Sequence, residues 1–338
     1  MPRRARIDAP GALHHIIGRG IERRKVFLDN ADRDNFVKRL SRILSETSTS
    51  CFAWALLPNH YHLLLRTGNV PIATVMRRLL TGYAVSFNRR HHRYGHVFQN
   101  RYKSILCQEE PYLQELVRYI HLNPLRAGVV STLRELDRYP YSGHSRLMAN
   151  MEGSWQDINA VLALFGKKEA AANKNYSEFV SNGIQAGRKP ELTGGGLIRS
   201  VGGWSALKSL ADMGEHFKSD ERILGDSDFV EKVLGDAAEE MERKSRLKAE
   251  GYDFDTVIRR VSDIFNMEER QILLPSKQPD RVKARSVLAC WVVRELGISE
   301  TAVGKKLNLS QSATSRAVQR GEQLIAEHRL SLHNETNA

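Results

Sequence analysis

The sequence predicts an α+β fold, with helices on an antiparallel sheet, followed by an all-α part. In the first 146 residues the hydrophobic patterns run strand, helix, two strands, helix, strand, helix. A stretch with several glycine clusters follows, and helical periodicity returns near the C-terminus. We therefore expect a first domain at residues 1–146, a helical connector at 147–250 and a helical domain at 251–338.

The individual elements of the first domain follow from periodicity and from turn residues. Residues 13–19 read as a strand that ends among glycines, and Asn30 is a candidate N-cap for the first helix. Pro58-Asn59 separates two apolar strands. The predicted boundaries are strand 13–19, helix 30–46, strands 51–57 and 60–66, helix 71–91, strand 96–106 and helix 111–123.

The second of the paired strands contains His60-Tyr61-His62 within an apolar run at 55–66. Residues two apart in a strand point to the same side, so the two imidazoles share one face and Tyr61 lies on the other. Buried imidazoles are costly unless they are hydrogen-bonded or hold a metal. The pair is therefore either two of the ligands of a divalent metal site or two unrelated half-buried histidines.

Positive charge is concentrated in the first domain. The chain has a net charge of +12, while residues 1–146 contain 24 Lys/Arg and 11 Asp/Glu. Arginine predominates there, and aromatic residues such as Tyr83, Tyr94 and Phe98 are interspersed among the basic ones. Such a composition is typical of a nucleic-acid face, since arginine makes bidentate phosphate contacts, although a solvated basic surface would look the same.

A second informative run is Tyr119-Ile-His121-Leu-Asn123-Pro124 in the last predicted helix of this domain. Tyr119 and Asn123 are four residues apart and so project from one helix face. Asn123 offers an oxygen as a third metal ligand, and a phenolate at Tyr119 could attack a metal-polarised phosphodiester to leave a phosphotyrosine. Alternatively, Tyr119 is a helix-face aromatic and Asn123 a helix stop before Pro124. Two imidazoles and one oxygen suit Mg²⁺ or Mn²⁺ as well as Zn²⁺.

Taken together, these motifs resemble the single-tyrosine HUH transposases, and most closely their REP-associated branch. The resemblance rests on His60-Tyr61-His62 and on the run at 119–130. The segments His14-His15-Ile-Ile-Gly-Arg-Gly20 and Phe98-Gln-Asn-Arg-Tyr-Lys-Ser104 are similar to that family as well. The resemblance covers roughly residues 5–146.

The resemblance implies a ferredoxin-like sheet and metal-dependent cleavage and rejoining of single-stranded DNA, at hairpin sites, through a 5′-phosphotyrosine link. It makes His60 and His62 ligands of Mg²⁺ or Mn²⁺, Asn123 the third ligand and Tyr119 the nucleophile. His121 is expected to be structural or close to the DNA. The expected phosphate contacts, each of which could equally be a surface charge, are Arg19, Arg23, Arg101, Lys103 and Arg118.

The C-terminal region carries a helix-turn-helix spacing. An amphipathic helix near 283–296 precedes a short helix near 302–307, a turn with Ser310 as N-cap, and a helix to about 325. Residues 252–326 resemble the DNA-binding domain of the replication initiator DnaA. A helical packing unit that does not touch DNA is the alternative. The residues expected at the start of the recognition helix are Gln311, Ser312, Thr314, Ser315 and Arg316.

The three cysteines are widely spaced, which indicates buried thiols rather than disulfides or a zinc knuckle. No apolar segment predicts a signal peptide or a membrane span, so we expect a bacterial cytoplasmic, nucleoid-associated protein without a membrane partner. Its expected partners are single-stranded or hairpin DNA, with double-stranded DNA at the C-terminal domain, and it is expected to be a monomer or a homodimer.

Three functions remain open from the sequence. The leading one is a metal-dependent DNA strand transferase. A non-catalytic DNA-binding regulator with the same fold is the second. An RNA-binding protein is the third, since ferredoxin-like sheets often bind RNA.

Overall fold

The computed structural model has an α+β architecture and describes residues 7–9, 11–68, 70–149, 155–185, 192, 220 and 222–332. The chain forms two compact units, Met1–Val233 and Leu234–Ala338. The glycine clusters predicted in the connector, at 194–196 and 202–203, lie outside the described residues.

The first unit contains a mixed sheet with helices on both of its faces. Its elements are β1 (Leu13–Arg19), α1 (Asn30–Glu46), β2 (Ser50–Leu57), β3 (His60–Arg66), α2 (Ile72–Arg90), β4 (Lys103–Cys107), α3 (Glu109–His121), α4 (Asn123–Arg126), α5 (Leu133–Arg138), α6 (Gly143–Met148), α7 (Ile158–Ala163), α8 (Glu169–Gln185) and β5 (Ile223–Leu224). Helix α9 (Ser227–Ala249) contains the boundary between the two units.

The five strands lie in the order β2-β3-β1-β4-β5. Neighbours among the first four are antiparallel, and β5 runs parallel to β4. Strand β3 is therefore internal, between β2 and β1, and its residues are held in register from both sides. On β1, Arg19 lies opposite His60 and Ile17 opposite His62.

The alternation of β3 divides its side chains between two hydrophobic cores. Tyr61, Leu63 and Leu65 pack with α1 and α2 on one face of the sheet. Leu64 belongs to the core on the other face, with the apolar residues of α3. His60 and His62 have the same parity as Leu64, so they lie on the α3 side. The α3 residues in this second core are Leu113, Leu116, Val117 and Ile120.

Two predicted boundaries in the first unit are wrong. The cap of α1 is Asp29 rather than Asn30, because the Asp29 carboxylate accepts the backbone N–H of Asp32. The last long strand starts at Lys103 rather than at residue 96. Residues 96–102 form a loop that meets the end of β1, where Gly20 and Phe98 form an isolated bridge and the backbone N–H of Gln99 donates to the carbonyl of Arg19 at 3.0 Å.

The packing of the first unit continues beyond residue 146, where the sequence suggested a domain boundary. Apolar residues of α7 and α8, including Val161, Tyr176 and Val180, belong to the same core as α3. Strand β5 also pairs with β4, far from it in the sequence. The segment expected to be a connector therefore supplies part of the support for α3.

The second unit is all-α and has its own core. Its helices after α9 are α10 (Phe254–Phe265), α11 (Glu269–Leu273), α12 (Pro279–Arg294), α13 (Glu300–Leu307) and α14 (Gln311–His328). Leu288, Trp291, Val303, Leu307 and Val318 are buried together. Ser310 caps α14 as predicted, since its hydroxyl accepts the backbone N–H of Ala313.

A buried arginine connects the helices of this unit. The guanidinium of Arg285 on α12 donates to the carbonyl oxygens of Ile272, Leu273 and Leu274 at 2.7–2.9 Å, and to that of Leu307. These carbonyls belong to the C-terminal ends of α11 and α13, where intrahelical partners are missing. Arg285 therefore ties both helix ends to α12.

The three cysteines are free and buried, as predicted. Among the described residues, no helix combines the length and the apolar character needed to cross a membrane.

Candidate active site

The site is built on the α3 side of β3, around His60 and His62. The two rings meet edge to face, with centroids 5.3 Å apart. Tyr61 between them is buried on the opposite face, against Phe36, as predicted. The phenol of Tyr61 lies over β1 at Gly18, where a Cβ atom would come within 2.2 Å of its hydroxyl. Only glycine, which has no Cβ atom, leaves room for the Tyr61 ring at position 18.

Both imidazoles are held in the neutral form. Burial, and then the nearby positive charge of Arg19, lowers the pKa of His60 to about 4. Burial also holds the pKa of His62 well below its usual range, with smaller effects from His15, His60 and Arg19. A neutral imidazole keeps a lone pair on one nitrogen, which is the form that binds a metal.

One nitrogen of each ring is occupied by a hydrogen bond within the protein. Nδ1 of His60 lies 2.6 Å from Oδ1 of Asn59, and Nδ1 of His62 lies 3.0 Å from Nε2 of His15. The nitrogen left for an external ligand is therefore Nε2 in both residues. Metal-binding histidines commonly have this arrangement, with one nitrogen oriented by the protein and the other on the ion.

Tyr119 on α3 lies against the histidine cluster. Its ring meets the ring of His62 edge to face at 5.8 Å and that of His15 at 5.9 Å between centroids. The guanidinium of Arg126, on α4, lies 5.7 Å from the centroid of the Tyr119 ring. The structure thus brings the tyrosine of one predicted motif to the histidines of the other, which are more than fifty residues away in the sequence.

Asn123 follows Tyr119 by one helical turn. Leu122 between α3 and α4 keeps helical backbone angles, φ −81° and ψ −9°, so Asn123 continues the face that carries Tyr119. Asn123 is buried, and within the described part of the chain its Nδ2 atom has no hydrogen-bond partner. Since the two ends of an amide can exchange by a flip, either end can take the unfilled position.

The side chains present fit a divalent cation. Two neutral imidazoles with Nε2 available and one unsatisfied amide form a mixed nitrogen and oxygen set. Within the described ranges, His, Cys, Asp and Glu side chains form no group of three arranged to hold a metal ion. A third protein ligand would have to be of another type, and Asn123 is such a residue.

Comparison with known protein families gives one match, to part of the first unit. Residues 11–123 match the family model described as Transposase IS200 like. The matched segment runs from the start of the sheet to Asn123 and includes His60, His62 and Tyr119. The match supports a relationship between the sheet unit and the IS200-like transposases. No curated protein matches the chain.

The solved structures similar to the chain include two that are described as transposases. One is the REP-associated tyrosine transposase bound to a REP hairpin, with 18% identity, a TM-score of 0.37, and coverage of 46% of this chain and 94% of that one. The other is a protein described as a transposase from Deinococcus radiodurans R1, with 20% identity, a TM-score of 0.25, and coverage of 34% and 92%. At these TM-scores neither structure transfers a function to this chain.

Two of the predicted phosphate-binding residues lie on the face of the sheet that carries His60 and His62. Arg19 on β1 is exposed and pairs with His60 on β3. Ile17 on β1 pairs with His62 on β3 on one side and with Lys103 on β4 on the other. Directly paired residues share a face, so Lys103 lies in the same row as His62. Arg23 and Arg101 are exposed in the loops after β1 and before β4.

Arg118 and Thr314 occupy positions that do not suit contact with DNA. Arg118 donates to both carboxylate oxygens of Glu115 at 2.5 and 2.6 Å and stacks on Phe179 at 4.1 Å. The Thr314 side chain is fully buried, and its hydroxyl donates to the carbonyl of Ser310. Both therefore serve packing within their units. Gln311, Ser312 and Arg316 are exposed at the start of α14.

Two features of the site were not predicted from the sequence. His15 is fully buried and in contact with His62, and the sequence signal for it was the His14-His15 pair on a largely buried strand. Helix α8 contacts α3, because the hydroxyl of Tyr176 on α8 lies 2.8 Å from Nδ1 of His121 on α3. Nothing in the local sequence of α8 indicated that contact. His121 itself is buried, in agreement with a structural role.

Proposed function

We propose that this chain is a metal-dependent DNA strand transferase that cleaves and rejoins single-stranded DNA through Tyr119. The observation that carries the proposal is the contact of the Tyr119 ring with His62, a member of a same-face histidine pair on a buried strand. The match of residues 11–123 to IS200-like transposases supports the same reaction class. A ferredoxin-like arrangement is compatible with the strand order β2-β3-β1-β4 and its antiparallel pairing.

His60, His62 and Asn123 would hold Mg²⁺ or Mn²⁺ in this scheme. When bound, the ion polarises the scissile phosphate and neutralises negative charge that develops on it. Asn59 and His15 bond Nδ1 of the two imidazoles, which leaves Nε2 of each ring as the nitrogen that would hold the ion.

Tyr119 would supply the nucleophile. Its phenolic oxygen forms a bond to phosphorus while the bond from phosphorus to the 3′ oxygen of the preceding nucleotide breaks. The phenolic proton is released to water, and the departing 3′ oxygen takes up a proton to become a hydroxyl. The 5′ phosphate remains on Tyr119, so the phosphodiester energy is kept for the reverse attack by a 3′ hydroxyl.

The DNA would approach along the exposed basic side chains beside the site. Arg19 and Lys103 share the face of the sheet that carries the histidines, and Arg23 and Arg101 are exposed in flanking loops. Phosphate contacts of this kind supply affinity without sequence preference. The substrate class that we infer is single-stranded DNA with a hairpin.

The second unit would read double-stranded DNA. Helices α13 and α14 follow one another across a three-residue turn, and Gly304 allows a close approach, since a Cβ atom there would lie 2.8 Å from the Thr314 hydroxyl. This arrangement supports a helix-turn-helix of the DnaA-like type, with Gln311, Ser312 and Arg316 at the start of the recognition helix.

The direct test is incubation of the full chain with labelled single-stranded hairpin DNA and Mn²⁺ or Mg²⁺. We expect a protein–DNA adduct that survives denaturant and disappears in Tyr119→Phe. Tyr112→Phe is a matched control, because Tyr112 is on the same helix and only partly buried. If no adduct forms with any divalent metal while hairpin DNA still binds, the chain is a non-catalytic DNA-binding regulator. Preference for RNA over DNA would favour an RNA-binding function instead.

A further inference from the structure

His15 on β1 makes a specific contact with one member of the histidine pair. Its Nε2 atom lies 3.0 Å from Nδ1 of His62, and the two rings stack at 5.3 Å with 28° between their planes. His15 pairs with Leu64 in the strand register, so His62 is its diagonal neighbour on the same face. The His15 side chain is completely buried.

The direction of this hydrogen bond decides whether His62 can bind a metal. A bond between two ring nitrogens has one donor and one acceptor. If Nδ1 of His62 donates, then Nε2 of His62 keeps its lone pair and can bind an ion. If His15 donates, the proton of neutral His62 is on Nε2, and that nitrogen cannot bind a metal.

The neighbouring ligand candidate has the equivalent arrangement. Nδ1 of His60 lies 2.6 Å from Oδ1 of Asn59, and an amide oxygen can only accept. Nδ1 of His60 is therefore the protonated nitrogen, and Nε2 is bare. A site that uses Nε2 of both rings requires the same tautomer at His62, which makes His15 the acceptor.

We propose that His15 is a positioning residue that accepts the Nδ1–H of His62 and so presents Nε2 of His62 to the metal. Through the same ring it supports Tyr119, whose centroid is 5.9 Å away. This inference rests on the proposed function, since it assigns a role toward the metal of that site. Loss of such an outer partner costs roughly 10–100-fold in metal affinity.

The tautomer of His62 can be measured directly in the metal-free full chain. Long-range ¹H–¹⁵N correlation spectra of protein labelled at histidine distinguish a ring protonated at Nδ1 from one protonated at Nε2. We expect His62 to be protonated at Nδ1 in the wild type. A His62 ring protonated at Nε2 would overturn the proposal.

Metal affinity provides the second measurement, by electron paramagnetic resonance titration of Mn²⁺. His15→Phe keeps an aromatic ring but removes the acceptor, and we expect Mn²⁺ to bind roughly 10–100-fold more weakly. His15→Gln restores an acceptor oxygen and should recover most of the affinity. His14→Phe is the control, because His14 is equally buried but bonds Ser104 on the other face of the sheet. We expect its affinity to equal that of the wild type.

The outcomes separate this inference from the function on which it rests. If the wild type binds Mn²⁺ and forms the adduct while His15→Phe binds Mn²⁺ equally well, His15 has only a packing role. If the wild type neither binds Mn²⁺ nor forms an adduct, the proposed function fails and this inference with it. Should His15→Phe not fold, the wild-type tautomer and the His15→Gln affinity still decide.

Discussion

At the residue scale, the candidate site depends on side chains whose roles follow from the face on which they lie. His60 and His62 are on the α3 side of β3, while Tyr61 between them is buried in the other core. The hydroxyl of Tyr61 has no hydrogen-bond partner in the described part of the chain. Three consecutive residues thus include two candidate ligands and one packing residue.

The first prediction concerns these three residues. His60→Ala and His62→Ala should each abolish DNA cleavage, a larger effect than the roughly 10–100-fold cost of losing an outer-shell partner. Binding of hairpin DNA should be retained, because affinity comes mainly from phosphate contacts. Tyr61→Phe removes only an unsatisfied hydroxyl and should cleave like the wild type. Cleavage assays and gel-shift titrations measure the two effects, and equal loss of binding and cleavage would indicate misfolding instead.

A second prediction concerns Tyr94, which is 96% exposed in the loop between α2 and β4. Two contacts with α2 hold this loop: the Asn88 side chain donates to the carbonyl of Gly95 at 2.9 Å, and the Arg93 guanidinium lies over the Phe87 ring. An exposed aromatic side chain among basic residues can stack on an unpaired base, and such stacking contributes about 1–3 kcal/mol. Tyr94→Ser should therefore weaken single-stranded DNA binding by about 5- to 150-fold.

Fluorescence anisotropy with an unpaired oligonucleotide measures this effect. Tyr94→Phe keeps the aromatic face and should bind like the wild type. Equal affinity of Tyr94→Ser and the wild type would show that no base stacks there.

The sequence grouped the candidate ligands and the candidate nucleophile within their motifs, but it did not predict the contacts that support them. Strand alternation and helical spacing relate residues two or four apart, which is why His60, His62, Tyr119 and Asn123 could be paired within their motifs. The contact of His15 with His62 depends on strand register, which a single sequence does not specify. The stacking of Arg118 on Phe179 was not predictable because α3 and α8 are far apart in the sequence, whereas Glu115 lies only three residues before Arg118 on the same helix.

At the element scale, α3 is held between the sheet and α8. Tyr176 on α8 is fully buried, and its hydroxyl lies 2.8 Å from Nδ1 of His121 and 2.7 Å from Nδ1 of His144. Gly183 lets α8 approach closely, because a Cβ atom there would lie 2.4 Å from Cδ of Arg118. The position of Tyr119 on α3 therefore depends on a helix outside the matched segment.

The third prediction tests this support. Tyr176→Phe leaves two buried imidazoles without their shared hydroxyl partner and should lower the free energy of unfolding by about 1–3 kcal/mol. Urea unfolding measures the change, with the exposed Tyr94→Phe as a control that should have no effect. An unchanged free energy of unfolding in Tyr176→Phe would contradict the role of α8.

Most elements were predictable because their patterns are local. The observed α1, β3 and α2 agree with the predicted ones to within a residue, since their periodicity is strong. Residues 96–102 contain apolar and aromatic residues like a strand, yet they form a loop whose side chains Val97 and Tyr102 fill the α2 core. The strand-like apolar pattern of residues 96–102 therefore reflects burial of their side chains in the core, and not membership of a β-strand.

At the scale of the whole molecule, the excess of positive charge and the candidate site both lie in the first part of the chain. Residues 1–146 have a net charge of +13, while the remainder has a net charge of −1. The two compact units have separate cores. The boundary near residue 233 was not predictable, because the packing of α7 and α8 on α3 is a long-range contact.

The fourth prediction separates the roles of the two units in the full chain. Arg316→Ala removes an exposed cation near the start of α14 and should weaken binding to the preferred duplex by about 1–3 kcal/mol. Adduct formation on a single-stranded hairpin should be unchanged. Arg320→Ala, one turn further along the same helix, is the control with a smaller expected effect. Unchanged duplex preference in Arg316→Ala would mean that α14 does not read DNA.

The central claim, that Tyr119 forms a covalent bond to DNA, is tested most directly by locating the link. The adduct from hairpin DNA and Mn²⁺ is digested with protease and nuclease, and the nucleotide-bearing peptide is sequenced by mass spectrometry. We expect a single modified peptide, with a 5′ phosphate attached to the Tyr119 oxygen. A nucleotide attached to any other residue, or no modified peptide from protein that binds both Mn²⁺ and hairpin DNA, would contradict the claim.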